Sequence, residues 1–373
     1  MKKNKGKIAV AMSGGVDSSV VAKILKDEGH DLVGLFLKMW SDPKCSTKKE
    51  NRCCDYEALE DARAVAKSLE IPFYVINAEQ EFKKMVVDYF LDEYKNLRTP
   101  NPCIVCNKKI KFDLLLRKAL EIDCDKLATG HYAKVTCNNK GCQLFKGEDD
   151  EKDQSYMLYS LNQDQLGKIL FPIGGMKKRD VRALAIKWDL PVKEKPESQE
   201  ICFFGDKDYR AFLKRYLPEK YFKSGDIVDT SGKNLGEHEG LINYTIGQRK
   251  GIDQKIFSGG DKNPLYVVGY DPKKNQLIVG HDEDVYKQEM IVGDLHWIDP
   301  KSNSSKLKAK SLTVKIRYQH PAVTCRIASH PELIEGSGKL RVKFKKLQRA
   351  ITPGQSAVFY LGDEVVGGGV IKS

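Results

Sequence analysis

The 373-residue sequence lacks the usual marks of an exported or membrane protein. Its N-terminus, MKKNKGKIAVAMSGG, contains an apolar run of only Ile8–Met12. A signal peptide needs an apolar region of roughly 7–15 residues. No run of about 20 apolar residues is present, so no membrane helix is predicted. Without an export signal, we expect a cytoplasmic protein whose ten cysteines are reduced and serve catalytic, metal-binding or incidental roles.

The sequence also lacks an excess of acidic residues, long repeats and low-complexity tracts. Lys and Arg number 63 and Asp and Glu number 51, which leaves a formal net charge of +12. This balance favours a polyanionic partner, although a merely solvated basic surface has the same composition. No G-x-x-x-x-G-K-[ST] motif is present, which excludes a Walker A phosphate loop.

The hydrophobic pattern predicts an α/β protein. Over residues 7–135, short apolar runs alternate with helical patterns, which is typical of a doubly wound parallel sheet. After about residue 210 the sequence becomes rich in Gly and polar turns, which indicates a small mixed α+β domain. From about residue 285, short alternating strands predict an antiparallel β-barrel. The expected domains are therefore 1–210, 211–284 and 285–373.

The segment SGGVDSS lies between the first predicted strand and the first predicted helix. Unpaired N–H groups at a helix N-terminus favour an anion, and Gly14 and Gly15 allow close backbone approach. Asp17 is an acidic group in a phosphate site, which is reasonable if it holds Mg²⁺. The segment resembles the pyrophosphate loop of the N-type ATP pyrophosphatases, so it predicts ATP binding.

A C-x-x-C pair follows in RTPNPCIVCNKKIKF. Pro100 and Pro102 are expected to exclude a regular helix, so we predict that an extended loop presents Cys103 and Cys106 before a basic helix. The pair fits a zinc half-site, a redox pair or an iron–sulfur edge. A zinc site would need a second pair at matching spacing, and the sequence has none. Lys108 and Lys109, which closely follow Cys106, and the N-terminus of the following helix are expected to lower the Cys106 pKa.

Together, in this order, several segments resemble the tRNA-specific 2-thiouridylase family over roughly residues 7–371. The segments are SGGVDSS, RTPNPCIVCNKKIKF, ATGHY, KDQSYMLY, ICFFG, GEHEGLINYTIGQRKG and TPGQSAVFY. Taken singly, Cys202 in ICFFG is more typical of a core residue, and ATGHY and KDQ are more typical of turns. The resemblance implies an ATP-dependent sulfurtransferase that thiolates the wobble uridine of the glutamate, glutamine and lysine tRNAs.

The resemblance also implies roles for individual residues. Cys106 matches the nucleophile and Cys202 the persulfide carrier, and the two are expected to form a redox disulfide. The implied ATP contacts are Ala11, Met12, Ser13, Gly14, Gly15, Val16, Asp17, Ser18, Leu37 and Gly130. The implied contacts to the target base are Asn101, Pro102 and Cys103. The implied tRNA contacts are His131, Lys152, Asp153, Gln154, Arg317, Tyr318 and Gln355.

Two positions depart from the family pattern. Many members carry aspartate where this chain has Cys103, which leaves the role of that position open. Leu37 stands where methionine is common, a swap that an apolar contact tolerates. The implied cofactors are ATP and Mg²⁺. The implied partners are tRNA and a cysteine desulfurase or sulfur-relay protein.

Alternatives remain open from the sequence. Sulfur transfers either by direct attack of the Cys202 persulfide or through sulfide released by Cys106. A [4Fe–4S] cluster held by Cys103, Cys106 and Cys202 would serve the same chemistry on the same fold. A non-catalytic RNA-binding protein, or thiolation of another acceptor, is also compatible with the motifs.

Overall fold

The computed structural model describes residues 6–44, 56–197, 201–203, 208–252, 264–299, 306–327 and 338–373. Cys45, Cys53 and Cys54, whose roles the sequence leaves open, lie outside these residues. Within the described part of the chain, no helix is both long and apolar enough to span a membrane.

The described strands are β1 (Lys7–Ala11), β2 (Asp31–Lys38), β3 (Phe73–Asn77), β4 (Lys126–Ala128), β5 (Ala133–Asn138), β6 (Gly141–Lys146), β7 (Ile169–Leu170), β8 (Gly225–Asp229), β9 (Asn234–His238), β10 (Tyr266–Asp271), β11 (Gln276–Gly280), β12 (Tyr286–Trp297), β13 (Leu312–Lys315), β14 (Val323–Ile327), β15 (Leu340–Arg349), β16 (Ser356–Leu361) and β17 (Glu364–Ile371). The described α-helices are α1 (Val16–Asp27), α2 (Tyr56–Ser68), α3 (Glu79–Phe82), α4 (Asp88–Lys95), α5 (Pro102–Val105), α6 (Leu116–Glu121), α7 (Gln163–Gly167), α8 (Lys178–Lys187) and α9 (Tyr209–Tyr216).

The N-terminal part is built on a parallel sheet in the order β3-β2-β1-β4-β7. Its central strands are almost continuous apolar runs, as expected for strands covered on both faces. One core cluster contains the apolar side of α1 and α2, and another contains α4 and the helix that follows α5. The predicted doubly wound parallel sheet is confirmed. Its carboxyl edge carries the SGGVDSS segment directly after β1.

The expectation of an extended loop before Cys106 is wrong. A helix begins at Pro102, with Asn101 as its N-cap, and it continues through the π-helical segment Cys106–Leu115 into α6. Proline is tolerated at the first helical position because the N–H group it lacks would have no partner inside the helix. Cys103 and Cys106 therefore lie one turn apart on a single helix.

The middle part contains a four-stranded mixed sheet in the order β10-β11-β8-β9. Strands β8 and β11 are parallel and the other two pairings are antiparallel. This arrangement matches the small mixed domain predicted from the Gly-rich sequence.

The C-terminal part is a closed antiparallel barrel, as predicted. Its strand order is β12-β15-β14-β13-β16-β17, and pairing of β12 with β17 closes the sheet. The β5–β6 hairpin, which belongs to the N-terminal part of the chain, extends this sheet by pairing with β17. The sequence pattern contained no signal for this long-range pairing.

One disulfide corrects the expectation that the cysteines are reduced thiols. Cys137 and Cys142 are directly opposite each other in the β5–β6 hairpin and form a disulfide, with their Cα atoms 4.0 Å apart. Cross-strand neighbours in an antiparallel pair are close enough for such a bond. The hairpin that joins the two parts of the protein is thereby cross-linked.

Candidate active site

The SGGVDSS segment forms a compact turn at the N-terminus of α1. Ser13 N–H donates to the Ser18 hydroxyl at 3.2 Å, and the hydroxyls of Ser18 and Ser19 donate to the Gly15 carbonyl at 3.1 and 2.9 Å. These bonds hold the loop in one conformation before any ligand arrives. The helix start places its free N–H groups and the positive end of its dipole at the loop, which suits a phosphate chain.

Two glycines are required by close backbone approaches. Gly14 has φ +71°, and a Cβ atom on it would lie 2.2 Å from the Ala58 carbonyl oxygen. A Cβ atom on Gly130 would lie 3.0 Å from both the Asp17 Cβ and the Ser18 N. Gly130, which follows β4, therefore packs directly against the loop. The structure brings together these two predicted nucleotide-site positions from distant parts of the chain.

Asp17 faces two groups from other elements. Lys178 Nζ lies 2.7 Å from each of the two carboxylate oxygens of Asp17, and the Tyr132 hydroxyl donates to Oδ1 at 2.8 Å. Burial, followed by the nearby Asp17 carboxylate, raises the pKa of the Tyr132 hydroxyl, so Tyr132 remains a proton donor. A carboxylate next to a phosphate loop is thus neutralised by a lysine that lies 161 residues further along the chain.

The charge network extends beyond Lys178. Glu197 Oε1 forms an ion pair with Lys178 Nζ at 3.3 Å, and Glu197 Oε2 accepts a hydrogen bond from Lys152 Nζ at 2.8 Å. Burial opposes ionisation of Glu197, but the hydrogen bonds and charges of the two lysines outweigh it and lower the pKa of the Glu197 carboxyl. The Glu197 hydrogen bond raises the pKa of Lys152. Asp17, Lys178, Glu197 and Lys152 form a row of alternating charges.

The remaining predicted ATP contacts lie in or near the end of the first two strands. Met12 and Leu37 are buried apolar side chains, and Ala11 ends β1. Met12 N–H donates to the Leu35 carbonyl at 2.8 Å, which ties the start of the loop to β2. Met12 packs in one core cluster of the parallel sheet and Leu37 in the other, and their contacts with ATP stay predictions.

The cysteine helix holds two free thiols in a buried environment. Cys106 is 8% exposed, and burial raises the pKa of its thiol to about 11, with Lys111 acting in the opposite direction. Burial also raises the pKa of Cys103. The expectation that Lys108, Lys109 and a helix N-terminus lower the Cys106 pKa is therefore wrong. Cys106 lies in the second turn of the helix, and desolvation outweighs the nearby positive charge.

Cys106 carries a free thiol and is not bonded to Cys202 in this structure. The proposed redox disulfide between them therefore remains a prediction about another state of the protein. Among the described residues, no group of three or more His, Cys, Asp or Glu side chains is arranged to hold a metal ion. The geometry thus gives no support to a cluster on Cys103, Cys106 and Cys202.

The C-terminal barrel contacts the segment that leads into the cysteine helix. Gln355 Nε2 donates to the Thr99 carbonyl at 2.9 Å and to the Pro100 carbonyl at 3.3 Å, and Thr99 N–H donates to the Pro353 carbonyl at 2.9 Å. At the other side, Asn101 Nδ2 lies 3.5 Å from the Met157 Sδ. The barrel therefore positions the predicted base contacts rather than forming a separate unit.

The side chains of the other predicted tRNA contacts make hydrogen bonds or packing contacts inside the protein. His131 is buried against Phe112 and Phe171, with its Nδ1 2.7 Å from the Thr129 hydroxyl; burial and then Lys111 lower its pKa well below the usual value. Asp153 accepts from the N–H groups of Gly147 and Ser155.

Three more of these side chains have internal partners. Gln154 accepts from the Tyr132 N–H at 3.0 Å. Arg317 donates to the Arg349 carbonyl at 3.1 Å, and Tyr318 packs near Tyr156. Their roles in RNA contact stay predictions.

Sequence reasoning missed Tyr132, Lys178 and Glu197. Tyr132 belongs to ATGHY and Glu197 begins ESQEICFFGD, so both motifs contained a local signal. Lys178, in the ordinary-looking helical stretch KKRDVRALAIK, carried none.

Three family matches cover the chain in succession. Residues 6–206 match the tRNA methyl transferase HUP domain, residues 210–281 the tRNA methyl transferase PRC-barrel domain and residues 287–371 the aminomethyltransferase beta-barrel domain.

Full-length relatives share nearly half of their residues with this chain. The tRNA-specific 2-thiouridylase MnmA of Geobacter metallireducens is 44% identical over 376 residues, covering 100% of this chain and 98% of the relative. The tRNA-specific 2-thiouridylase MnmA 1 of Caldanaerobacter subterraneus subsp. tengcongensis is 47% identical over 369 residues, covering 98% of each. A solved 4-thiouridine synthetase–RNA complex with bound ATP has a TM-score of 0.34 at 16% identity, covering 56% of this chain and 50% of that one, and a similarity this loose carries no argument.

Proposed function

Because the chain belongs to the tRNA-specific 2-thiouridylase family, we propose that it is an ATP-dependent tRNA-uridine 2-sulfurtransferase. The full-length identity of 44–47% to such enzymes carries this proposal. It is supported by the preorganised loop at Ser13–Ser19 and by the buried thiol of Cys106. The products are 2-thiouridine in tRNA, AMP and pyrophosphate.

The loop residues activate the uridine oxygen. O2 of the target uridine attacks the α-phosphate of ATP, pyrophosphate leaves, and O2 becomes part of a good leaving group. The free N–H groups at the start of α1 and the Ser13 hydroxyl are the donors that stabilise charge on the departing pyrophosphate, while the Ser18 hydroxyl, which donates to the Gly15 carbonyl, holds the loop in shape. Gly130 packs so closely against the loop that a side chain there would have to displace Asp17 or Ser18.

Asp17 fits the role of a Mg²⁺ ligand. Mg²⁺ commonly binds through one or two carboxylates, phosphate oxygens and waters, and Asp17 presents two oxygens whose charge the protein already balances with a cation. When bound, Mg²⁺ would supply charge stabilisation on the phosphate chain. The described residues offer no larger ligand set, in keeping with a metal held mainly by the nucleotide.

Cys202 and Cys106 supply the sulfur chemistry. A desulfurase or relay protein loads a persulfide on Cys202. In one route, the Cys106 thiolate attacks the Cys202 Sγ, a Cys106–Cys202 disulfide forms and sulfide is released, which then attacks C2 and expels AMP. In the other, the terminal persulfide sulfur attacks C2 directly and expels AMP, which leaves the uridine bonded through sulfur to Cys202 Sγ. The Cys106 thiolate then attacks Cys202 Sγ, so that the Sγ–S bond breaks, 2-thiouridine is freed and a Cys106–Cys202 disulfide forms. Either route ends in a disulfide that an external thiol reduces.

The finer assignments follow the family. The target is the wobble uridine of the glutamate, glutamine and lysine tRNAs, and the base contacts Asn101, Pro102 and Cys103. The expected division into 1–210, 211–284 and 285–373 assigns catalysis to the first domain and an RNA contact to the last. A base that is adenylated must first leave the anticodon stack.

Nucleoside mass spectrometry tests the proposal. The protein is incubated with unmodified glutamate tRNA, ATP, Mg²⁺, cysteine and a cysteine desulfurase, and the tRNA is then digested. We expect 2-thiouridine that depends on ATP and disappears in Cys106→Ser and in Cys202→Ser. Cys124→Ser, which removes a buried thiol outside this site, is the matched control and should retain activity.

Two outcomes would contradict the proposal. Thiolation retained in either cysteine variant would overturn the sulfur scheme. Tight tRNA binding without pyrophosphate release would instead identify a non-catalytic RNA-binding protein.

A further inference from the structure

The phosphate loop contains no cation of its own. Within Ser13–Ser19 the only charged side chain is that of Asp17, which is negative. A polyphosphate that entered this loop would meet a like charge. Beside the helix N-terminus and a nucleotide-bound Mg²⁺, a cation from a second element would favour binding of the β- and γ-phosphates of ATP in this loop.

Among the described residues, Lys178 places an ammonium group at the loop. Its side chain is only 11% exposed, its Nζ lies 2.7 Å from both Asp17 oxygens, and it also lies 3.3 Å from Glu197 Oε1. Its backbone N–H donates to Asp149 Oδ2 at 2.8 Å, which fixes the first residue of α8. The ammonium group is thus held at the loop by main-chain and side-chain contacts.

The arrangement suits an exchange of partners. Asp17 is the carboxylate that fits a nucleotide-bound Mg²⁺. If that carboxylate held the metal, the Lys178 ammonium would lose its closest counterion and would be available to an anionic ligand at the loop. A lysine ammonium has three donors and no fixed plane, so it can turn from a carboxylate to a phosphate oxygen without a change of helix position.

We propose that Lys178 is a phosphate-contacting cation of this active site, and that its ammonium binds the β- and γ-phosphates of ATP. This inference rests on the proposed ATP-dependent function. It assigns Lys178 to the pyrophosphate leaving group and not to the adenosine part of ATP. Glu197, held by Lys152 on its other side, keeps the ammonium aligned in the free enzyme.

Nucleotide binding without turnover tests this role. Dissociation constants are measured for AMP and for α,β-methylene-ATP, each with Mg²⁺, in the parent protein, Lys178→Met and Lys178→Arg. Lys177→Met, one residue earlier and exposed, is the matched control. Loss of a charge-assisted contact predicts roughly 10- to 100-fold weaker binding of α,β-methylene-ATP in Lys178→Met, an AMP affinity within about twofold, and partial rescue by Lys178→Arg.

In Lys178→Met, the Asp17 carboxylate without its counterion would also repel the triphosphate. A second comparison therefore separates this repulsion from the loss of a Lys178–phosphate contact. Inorganic pyrophosphate binding is measured in EDTA for Asp17→Asn and for Asp17→Asn combined with Lys178→Met. A contact to phosphate predicts that the double variant binds more weakly than Asp17→Asn. Equal affinities would show that Lys178 only neutralises Asp17 and would overturn the proposal.

Further results would also overturn it. Equal losses of AMP and α,β-methylene-ATP affinity would show that Lys178 only maintains the loop shape, a role that a lowered melting temperature would mark. Unchanged affinities would exclude any contact. None of these measurements requires thiolation, so a protein that fails to make 2-thiouridine yet shows the predicted affinity pattern would refute the function and leave this assignment standing.

Discussion

The environment of Cys106 predicts an unusually unreactive thiol in the free protein. Burial raises its pKa to about 11, whereas an ordinary cysteine has a pKa of about 8.5. At pH 8 about a quarter of ordinary thiols are ionised, against about one in a thousand for a pKa of about 11. Since the thiolate is the nucleophile, ionisation alone should make Cys106 roughly 200-fold slower to alkylate than a free cysteine.

The sign of the pH response follows from the raised pKa. The thiolate fraction, and hence the alkylation rate, should rise about tenfold for each pH unit from 7 to 10 without levelling off. Lys111 is the charge that opposes the rise in pKa. Its replacement in Lys111→Met should raise the Cys106 pKa further and slow alkylation at a given pH. Lys109→Met, two residues earlier and exposed, should leave the rate unchanged.

The alkylation rate of Cys106 at each pH is measured with iodoacetamide followed by tandem mass spectrometry. Cleavage after Arg98 and Lys108 yields one peptide with both cysteines, and fragmentation assigns the label to Cys103 or Cys106. Protein unfolded in guanidinium gives the reference with ordinary pKa values. A Cys106 rate that levels off at or below pH 9 in the folded protein would refute the burial argument. It would mean that local positive charge outweighs desolvation.

Three further predictions concern the loop, the hairpin and RNA binding. Gly14→Ala should abolish ATP binding and lower the melting temperature more than Gly29→Ala. Both glycines have positive φ, but only at Gly14 would the added Cβ atom lie 2.2 Å from a carbonyl oxygen, that of Ala58. Equal shifts would show that backbone strain alone matters. Cys137→Ser should lower the free energy of unfolding by at most about 2 kcal/mol for so short a loop, and dithiothreitol should remove the difference in denaturant titrations; a difference that persists in reductant would locate the effect in packing. Affinity for tRNA in filter binding should fall steeply and linearly on a log–log plot against salt, given the net charge of +12; a flat response would argue against phosphate contacts.

The local pattern of the sequence determined the layers of the fold. Alternating strand and helix periods over residues 7–135 predicted the parallel sheet, and period-two runs after residue 285 predicted the barrel. These features depend on which face of each element is apolar, which adjacent residues encode. The loop at Ser13–Ser19 was predictable for the same reason, because its glycines and hydroxyls act where the chain turns from β1 into α1.

Only the tertiary structure decided the electrostatics of the site. Lys178 reaches Asp17 across 161 residues, and a helix that starts at Pro102 buries Cys106 and raises its pKa against the charge of Lys111. The β5–β6 hairpin completes a sheet whose other strands lie more than 130 residues away in sequence. Desolvation and long-range charge pairing depend on what surrounds a group in space, and the sequence around each residue does not contain that information.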